Sequence, residues 1–190
     1  ATTFAGALTG NVTGNVSSSG ANTMGTLVLS DKLTTQEIEP DTDASYDIGT
    51  SSKKYNTIYA KATSAQYADL AEIYETDSEY EVGTVVVFGG DQEVTQSTFS
   101  NDTRVAGVIS ESPAYLMNNG SPGQAIALVG KVKCKVHGIV QKGDLLTTCG
   151  THPGHAQKSA SPVLGSVVGK AMENKSDAGE SVILISVGRL

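Results

Sequence analysis

The chain reads Val85-Val86-Val87-Phe88, continues through Gly89-Gly90-Asp91, and returns to strand-forming residues at Glu93-Val94-Thr95. A run of four large apolar residues is typical of a buried strand, and a glycine pair followed by aspartate is typical of a turn. The stretch therefore predicts a β-hairpin that contributes to an apolar core. The rest of the C-terminal sequence follows the same pattern.

Short apolar runs of this kind recur towards the C-terminus, and glycine or proline separates most of them. They occupy residues 105–109, 125–129, 132–136, 144–147, 167–171 and 182–187. Several short strands at this spacing are typical of a small β-barrel or β-sandwich. We therefore predict a compact all-β domain over residues 78–190, which is long enough to bury a core of its own.

A short helical connector is predicted immediately before this domain, over residues 65–77. Tyr67, Leu70, Ala71 and Tyr74 recur at three- and four-residue spacing, which would place them on one helical face. A helix of this length is marginal in water. We therefore expect it to pack against the β domain or against a symmetry mate.

The N-terminal third is rich in glycine, and the unit Thr-Gly-Asn-Val occurs twice in succession, at residues 9–12 and 13–16. Glycine at every fourth position opposes a helix by up to about 1 kcal/mol per residue. Such a segment cannot offset the roughly 1–2 kcal/mol per residue that backbone ordering costs, so it is disordered or winds with copies of itself. The regular spacing favours winding. It predicts an extended, intertwined β shaft over residues 1–64, with an axis lined by Phe4, Leu8, Val12, Val16, Leu27 and Leu29.

Residues 46–60 combine a turn signal with an alternation of period two. Asp47 and Gly49 punctuate the turn, and Tyr55, Thr57 and Tyr59 then alternate along the chain. Aromatic and β-branched residues at this period predict a strand.

Three segments follow one another in an ordered combination: Ile38-Glu39-Pro40, then Tyr46-Asp47-Ile48-Gly49-Thr50-Ser51-Ser52-Lys53-Lys54-Tyr55-Asn56-Thr57-Ile58-Tyr59-Ala60, then Ala65-Gln66-Tyr67-Ala68-Asp69-Leu70-Ala71-Glu72. This combination resembles a module of tail fibres and related virion appendages of tailed bacteriophages, including phages of cyanobacteria. The preceding Phe-x-Gly-x-Leu-Thr-Gly-Asn-Val repeat also resembles the shafts of those fibres. In that family the position held by Tyr55 is often Trp, so the residue here is aromatic like the family's but is not tryptophan.

The resemblance implies a parallel homotrimer mounted on a virion, in which three chains share the shaft. We accordingly expect a structural component of a phage virion fibre that contributes to host-surface attachment from the tail or another external appendage. Its partners would be its own copies, other virion proteins and a host surface glycan or protein. The alternatives are a purely architectural connector or whisker and, in another class, a polysaccharide-degrading or self-cleaving enzyme.

The charge balance limits the other classes of partner. Acidic residues outnumber basic ones by 20 to 13, which gives a formal charge of −7. Binding to nucleic acid needs clustered lysine and arginine, so we expect no nucleic-acid partner. No run of eighteen or more apolar residues occurs in the sequence, so we expect no membrane insertion.

Cysteine and histidine are concentrated in residues 149–155, with Cys134 and His137 upstream. Zinc takes sulfur and nitrogen ligands, but this spacing matches no common zinc pattern, and Pro153-Gly154 predicts a turn that would aim the two flanking histidines at different places. We therefore expect no metal, and we keep Cys149, His152 and His155 as the candidate ligands. A disulfide between the two cysteines stays open, because its geometry cannot be inferred from sequence.

No catalytic residue and no cofactor are expected. The carboxylates around the predicted helix are interpreted as a solvated face, although paired acids can perform hydrolytic chemistry; they are Asp69, Glu72, Glu75, Asp77 and Glu79. Lys131, Lys133 and Lys135 alternate with apolar residues, which favours an exposed edge strand protected from aggregation by lysine, with a polysaccharide-binding patch as the alternative.

Long polar loops on a rigid scaffold commonly carry binding. The candidate loops are residues 99–104, 115–124 and 151–161. Within them, receptor contact is expected at Tyr115, Asn118, Asn119, His152 and His155.

Overall fold

The structure is a computed structural model that describes residues 33–35, 37–40, 42–43, 45–60 and 68–188. The chain divides into two units, Ala1–Tyr59 and Ala60–Leu190, and each is treated separately. The predicted shaft residues lie outside the described part of the chain; they are Phe4, Leu8, Val12, Val16, Leu27 and Leu29.

The described residues of the first unit form turns and extended chain, without a helix or a strand among them. Thr50 and Lys53 exchange two backbone hydrogen bonds, Thr50 N to Lys53 O at 2.9 Å and Lys53 N to Thr50 O at 3.3 Å. Gly49 has a φ of 91°, which confirms the predicted turn. The strand predicted over residues 55–59 is wrong for the single chain, because these residues pair with no other described segment.

The second unit is an all-β domain, which confirms the predicted fold class for this part of the chain. Its described residues form ten strands: β1 Asp69–Tyr74, β2 Val85–Phe88, β3 Val94–Gln96, β4 Val105–Ile109, β5 Tyr115–Met117, β6 Gln124–His137, β7 Leu145–Thr148, β8 Ala156–Lys158, β9 Val167–Ala171 and β10 Glu180–Val187. Among the described residues no helix has the length and apolar character needed to cross a membrane.

Five of these strands close into a barrel in the order β6-β10-β9-β7-β8, with β8 returning to β6. The long strand β6 is antiparallel to β10 from Gly130↔Val187 to His137↔Glu180. Its buried side chains alternate with exposed ones and fill the barrel with those of the other strands, including Leu146, Val168 and Ile185. The structure therefore decides between the two predicted architectures in favour of the barrel.

A smaller layer extends from the first half of β6 through β4, β2 and β3. The hairpin of β2 and β3 is confirmed, with Val86 opposite Gln96 and Phe88 opposite Val94. Val86, Val94 and Ile126 belong to a second apolar core here. The strand β6 therefore contributes to both cores.

The helix predicted over residues 65–77 is wrong where the structure describes it, since Asp69–Tyr74 is strand β1; residues 65–67 lie outside the described part. β1 is antiparallel to β6, from Asp69↔Gly130 to Tyr74↔Gln124, and parallel to β5. A six-residue segment gains little from helix formation in water, whereas β6 on one side and β5 on the other satisfy its backbone groups.

The runs predicted as separate strands at residues 125–129 and 132–136 form one continuous strand that passes through Gly130. Gly130 has a φ of 116°, and a Cβ on it would overlap the Ala68 carbonyl oxygen. The predicted alternation is confirmed, because Cys134 is fully buried between exposed Lys133 and half-buried Lys135. The edge-strand interpretation is wrong, because β10 pairs with one side of this half of β6, and on the other side Lys131 N donates to Ala68 O and Lys135 N donates to Gly83 O.

Candidate functional site

One end of the barrel collects the histidines and a buried cysteine from distant parts of the sequence. His137 ends β6 and lies opposite Glu180 at the start of β10. It also pairs with Gln157 in β8, while Thr148 pairs with Ala156 across β7 and β8. These registers bring residues 149–155, which connect β7 to β8, to the end of β6.

Backbone hydrogen bonds fix the conformation of this connection. Cys149 N donates to His155 O at 2.9 Å, and His155 N donates to His152 O at 3.2 Å. Gly154 N donates to Ser97 O at 2.8 Å, and Gly154 O accepts from Val85 N at 2.8 Å. Gly154 has a φ of 72°, and a Cβ on it would lie 2.8 Å from Thr84 Cγ2, so the close fit to the β2–β3 layer requires glycine.

His137, Cys149 and His152 form what we call the histidine–cysteine cluster, in which one ring nitrogen of each histidine and the sulfur all lie within 4.8 Å of one another. The two imidazole rings stack, with centroids 3.7 Å apart and planes inclined by 14°. Cys149 Sγ lies 3.9 Å from His152 Nδ1 and 3.3 Å from Thr151 Oγ1. Nitrogen and sulfur atoms at these separations can serve as ligands of one metal ion.

The Pro153-Gly154 turn does not separate the flanking histidines as predicted. Both histidine rings lie close to the Glu180 carboxylate: Oε1 is 3.6 Å from His152 Nε2, and Oε2 is 3.7 Å from His155 Nε2. The turn folds the chain back on itself, so both rings approach the same carboxylate. The structure thus brings the candidate ligands Cys149 and His152 together with His137, whereas the candidate ligand His155 approaches Glu180 and lies outside that cluster.

His137 and Glu180 are members of this site that the sequence did not single out as candidates. Neither has a local motif, and both depend on the pairing of β6 with β10. The sequence signals for His137 are its place upstream of the cysteine and histidine concentration at residues 149–155 and its position at the end of an alternating strand pattern.

The two cysteines have different environments, and both are free thiols. Cys134 points into the barrel, where burial raises the pKa of its thiol to about 12. A thiol with that pKa stays protonated at neutral pH and is a poor ligand or nucleophile. Cys149 is also buried, yet its sulfur faces Thr151 and His152.

Lys175 holds the backbone next to His137 and Glu180. Its side chain is 2% exposed, and Nζ donates to Gly138 O at 3.1 Å and Gly179 O at 2.6 Å. Nζ also donates to Asp177 O at 2.7 Å and Asp177 Oδ1 at 2.9 Å, and this interaction lowers the pKa of the Asp177 carboxyl. The buried ammonium group therefore fixes the positions from which two of the site residues project.

A second surface contains the other predicted receptor contacts, and it lies on different elements. Tyr115 begins β5, which pairs with β1, and its side chain is 63% exposed. Asn118 adopts a φ of 55°, and its Nδ2 donates to Glu72 Oε1 at 2.6 Å. Asn119 is exposed in the turn that follows and forms an isolated bridge with Ser121.

The remaining candidate loop, residues 99–104, contains an ion pair. Arg104 Nη2 lies 2.7 Å from Asp102 Oδ2, and the hydrogen bond from Arg104 lowers the pKa of the Asp102 carboxyl. Asp102 N donates to Thr148 Oγ1 at 2.9 Å, which anchors the loop to β7. The loop is therefore bonded to the barrel through β7.

The acidic residues of β1 and the segment after it have structural partners. Ser110 Oγ donates to Asp69 Oδ2 at 2.6 Å, and Tyr74 Oη donates to Glu72 Oε2 at 2.8 Å. Tyr80 Oη donates to Asp77 Oδ1, and this bond lowers the pKa of Asp77. The predicted solvated face is therefore wrong for Asp69, which is buried, whereas Asp77 and Glu79 are exposed as predicted.

Comparison of the chain with protein-family models and with curated proteins finds no match.

Proposed function

We propose that this chain is a structural component of a phage virion fibre, assembled as a homotrimer along its N-terminal part and contributing to host-surface attachment through its β domain. The proposal includes no catalytic step. It rests on one observation in the first unit and on the loop arrangement of the second.

The observation that carries the proposal is the exposure of large apolar side chains along residues 33–60. Each is more than half exposed in the single chain: Leu33, Ile38, Tyr46, Ile48, Tyr55, Ile58 and Tyr59. Burial of an isoleucine or leucine side chain contributes about 1.5–3 kcal/mol, so this exposure is costly unless another surface covers it. The apolar residues are distributed along the sequence of the segment. An extended partner suits that distribution.

Identical chains are the partners that fit this distribution best. A parallel assembly around an axis places each apolar residue beside its own copies, so one sequence pattern serves every chain. The glycine-spaced repeat that precedes this segment and the resemblance to phage fibre shafts both favour three chains.

The oligomeric state tests this part directly. We expect size-exclusion chromatography with light scattering to give three times the chain mass of 19.6 kDa at micromolar concentration. The double variant Ile48→Ser with Ile58→Ser removes two apolar contacts per chain and should shift the mass towards the monomer. Leu164→Ser is the matched control, since this leucine is 89% exposed in the second unit and should leave the trimer intact.

A monomeric mass for the wild type at tens of micromolar would contradict the trimer. Equal dissociation of the double variant and the Leu164→Ser control would show that the first unit does not hold the chains together.

The attachment role rests on the surface around Tyr115 and Asn119. An exposed aromatic ring beside amide side chains offers stacking and hydrogen bonding together, which suits a saccharide. Adding the purified chain to host cells before the phage should reduce phage adsorption, and Tyr115→Ala with Asn119→Ala should abolish the competition. Purified protein that binds other virion proteins but never competes would favour the architectural connector instead.

A further inference from the structure

We propose that His137, Cys149 and His152 bind one thiophilic divalent cation, and that zinc is the ion their chemistry fits best. Zinc takes both thiolate sulfur and imidazole nitrogen as ligands, and catalytic zinc sites with one open position use three protein ligands. This inference does not depend on the fibre proposal, because all three residues belong to the β domain of a single chain.

The separations between the ligand atoms are close to those that zinc requires. Zinc lies about 2.0–2.1 Å from nitrogen and about 2.3 Å from sulfur, so tetrahedral ligand atoms are separated by roughly 3.3–3.6 Å. Cys149 Sγ and His152 Nδ1 are 3.9 Å apart, and all three ligand atoms lie within 4.8 Å of one another. Contraction by about an ångström therefore brings the set around one ion.

The stacked rings show which movement the ion must cause. Parallel imidazoles 3.7 Å apart direct their lone pairs side by side rather than towards a common point. The ring of His152 must therefore turn away from His137 when the ion enters. Its side chain is 32% exposed on the loop, so it has space to turn, whereas His137 is held in β6.

Neighbouring groups favour the metal-bound form of two ligands. Glu180 Oε1 lies 3.6 Å from His152 Nε2, which is longer than a hydrogen bond, so this carboxylate has to move closer to hold the Nε2 proton and leave Nδ1 for the ion. Thr151 Oγ1 lies 3.3 Å from Cys149 Sγ and 2.9 Å from His152 Nδ1, so the entering ion has to displace this hydroxyl from Nδ1, after which the hydroxyl can donate to the thiolate. Glu180 is about half exposed, which gives the ion a path from solvent and supplies a negative charge beside the site.

The chain provides an internal control for each ligand type. Cys134 is enclosed in the barrel core, so Cys134→Ser removes a thiol without touching the site. His155 belongs to the same loop as His152 and approaches the same carboxylate, yet it lies outside the ligand set.

The test uses the full chain, stripped of metal, reduced, and titrated with Co²⁺ as a spectroscopic probe of a zinc site. We expect one Co²⁺ per chain, a thiolate-to-cobalt charge-transfer band, intense visible bands of tetrahedral cobalt, and displacement of Co²⁺ by Zn²⁺. Cys149→Ser should abolish the charge-transfer band, and Cys134→Ser should retain it. His152→Ala should weaken Co²⁺ binding at least 100-fold, Glu180→Gln about 10-fold, and His155→Ala no more than about twofold.

The proposal is overturned if wild-type protein shows no charge-transfer band at millimolar Co²⁺, or if Cys149→Ser keeps the band. If Cys149→Ser fails to fold, His152→Ala decides the question, since its side chain is partly exposed on a loop. Unchanged Co²⁺ affinity in folded His152→Ala likewise refutes the site.

Discussion

Replacing Gly130 with alanine tests how β1 is joined to the long strand β6. Gly130 has a φ of 116°, a region that costs a residue with a side chain roughly 1–3 kcal/mol. The new Cβ would also overlap the Ala68 carbonyl oxygen and lie 2.8 Å from Asp69 Cα. Both neighbours are backbone atoms, so β1 has to move away from β6.

That movement adds a second cost. It breaks the hydrogen bond from Lys131 N to Ala68 O, at 3.2 Å, and disturbs the pairing of Asp69 with Gly130. Each lost backbone hydrogen bond costs about 0.5–1.5 kcal/mol. We therefore expect Gly130→Ala to lower the free energy of unfolding by about 2–5 kcal/mol.

Gly143→Ala separates the two costs. Gly143 has a φ of 94°, and a Cβ added there would meet no atom within 4 Å, so only the conformational cost of about 1–3 kcal/mol remains. Equilibrium unfolding in urea, followed by circular dichroism at one protein concentration, measures both variants. Equal losses in the two variants would refute the argument that contact between β1 and β6 requires glycine at position 130.

Three further predictions concern buried and paired groups. Lys175→Met should lower the free energy of unfolding by about 2–4 kcal/mol, because the carbonyls next to His137 and Glu180 lose a charged donor. Lys170→Met, at an exposed lysine, should change the free energy of unfolding by less than about 0.5 kcal/mol in the same urea experiment. Asp102 has a pKa lowered by Arg104, so its stabilisation is complete above its ordinary pKa and is lost as the pH falls through the lowered folded-state value. Unfolding midpoints measured from pH 7 to below about pH 3 should therefore fall more for wild type than for Asp102→Asn. The Cys134 thiol should resist iodoacetamide in native protein at neutral pH and react after unfolding in urea, as counted by mass spectrometry, since burial raises its pKa to about 12.

Short stretches of sequence were sufficient to predict the strands and the turn that depend mainly on neighbouring residues. The glycine pair after Phe88 marks the β2–β3 hairpin, and the apolar runs mark β4, β9 and β10 to within a residue or two. The strand β1 was predicted as helix, because Leu70 and Ala71 favour a helix locally. Its actual partner, β6, is remote in the sequence, and only pairing along a long strand overrides that preference.

The candidate site was predicted in part for the same reason. Cys149, His152 and His155 share one short loop, so their proximity is visible in the sequence. His137 and Glu180 join them through the register of β6 with β10, and a shift of one residue would turn both side chains to the opposite face. Sequence spacing carries no information about that register.

The shared strand has a consequence for how this domain responds to force and heat. Val132 and Val136 fill the barrel, while Ile126, on the same strand, fills the smaller layer. Neither layer can therefore melt while the other keeps its full set of backbone partners. The domain should lose its structure in one concerted step, so a pull applied at one end is resisted by the whole assembly of strands.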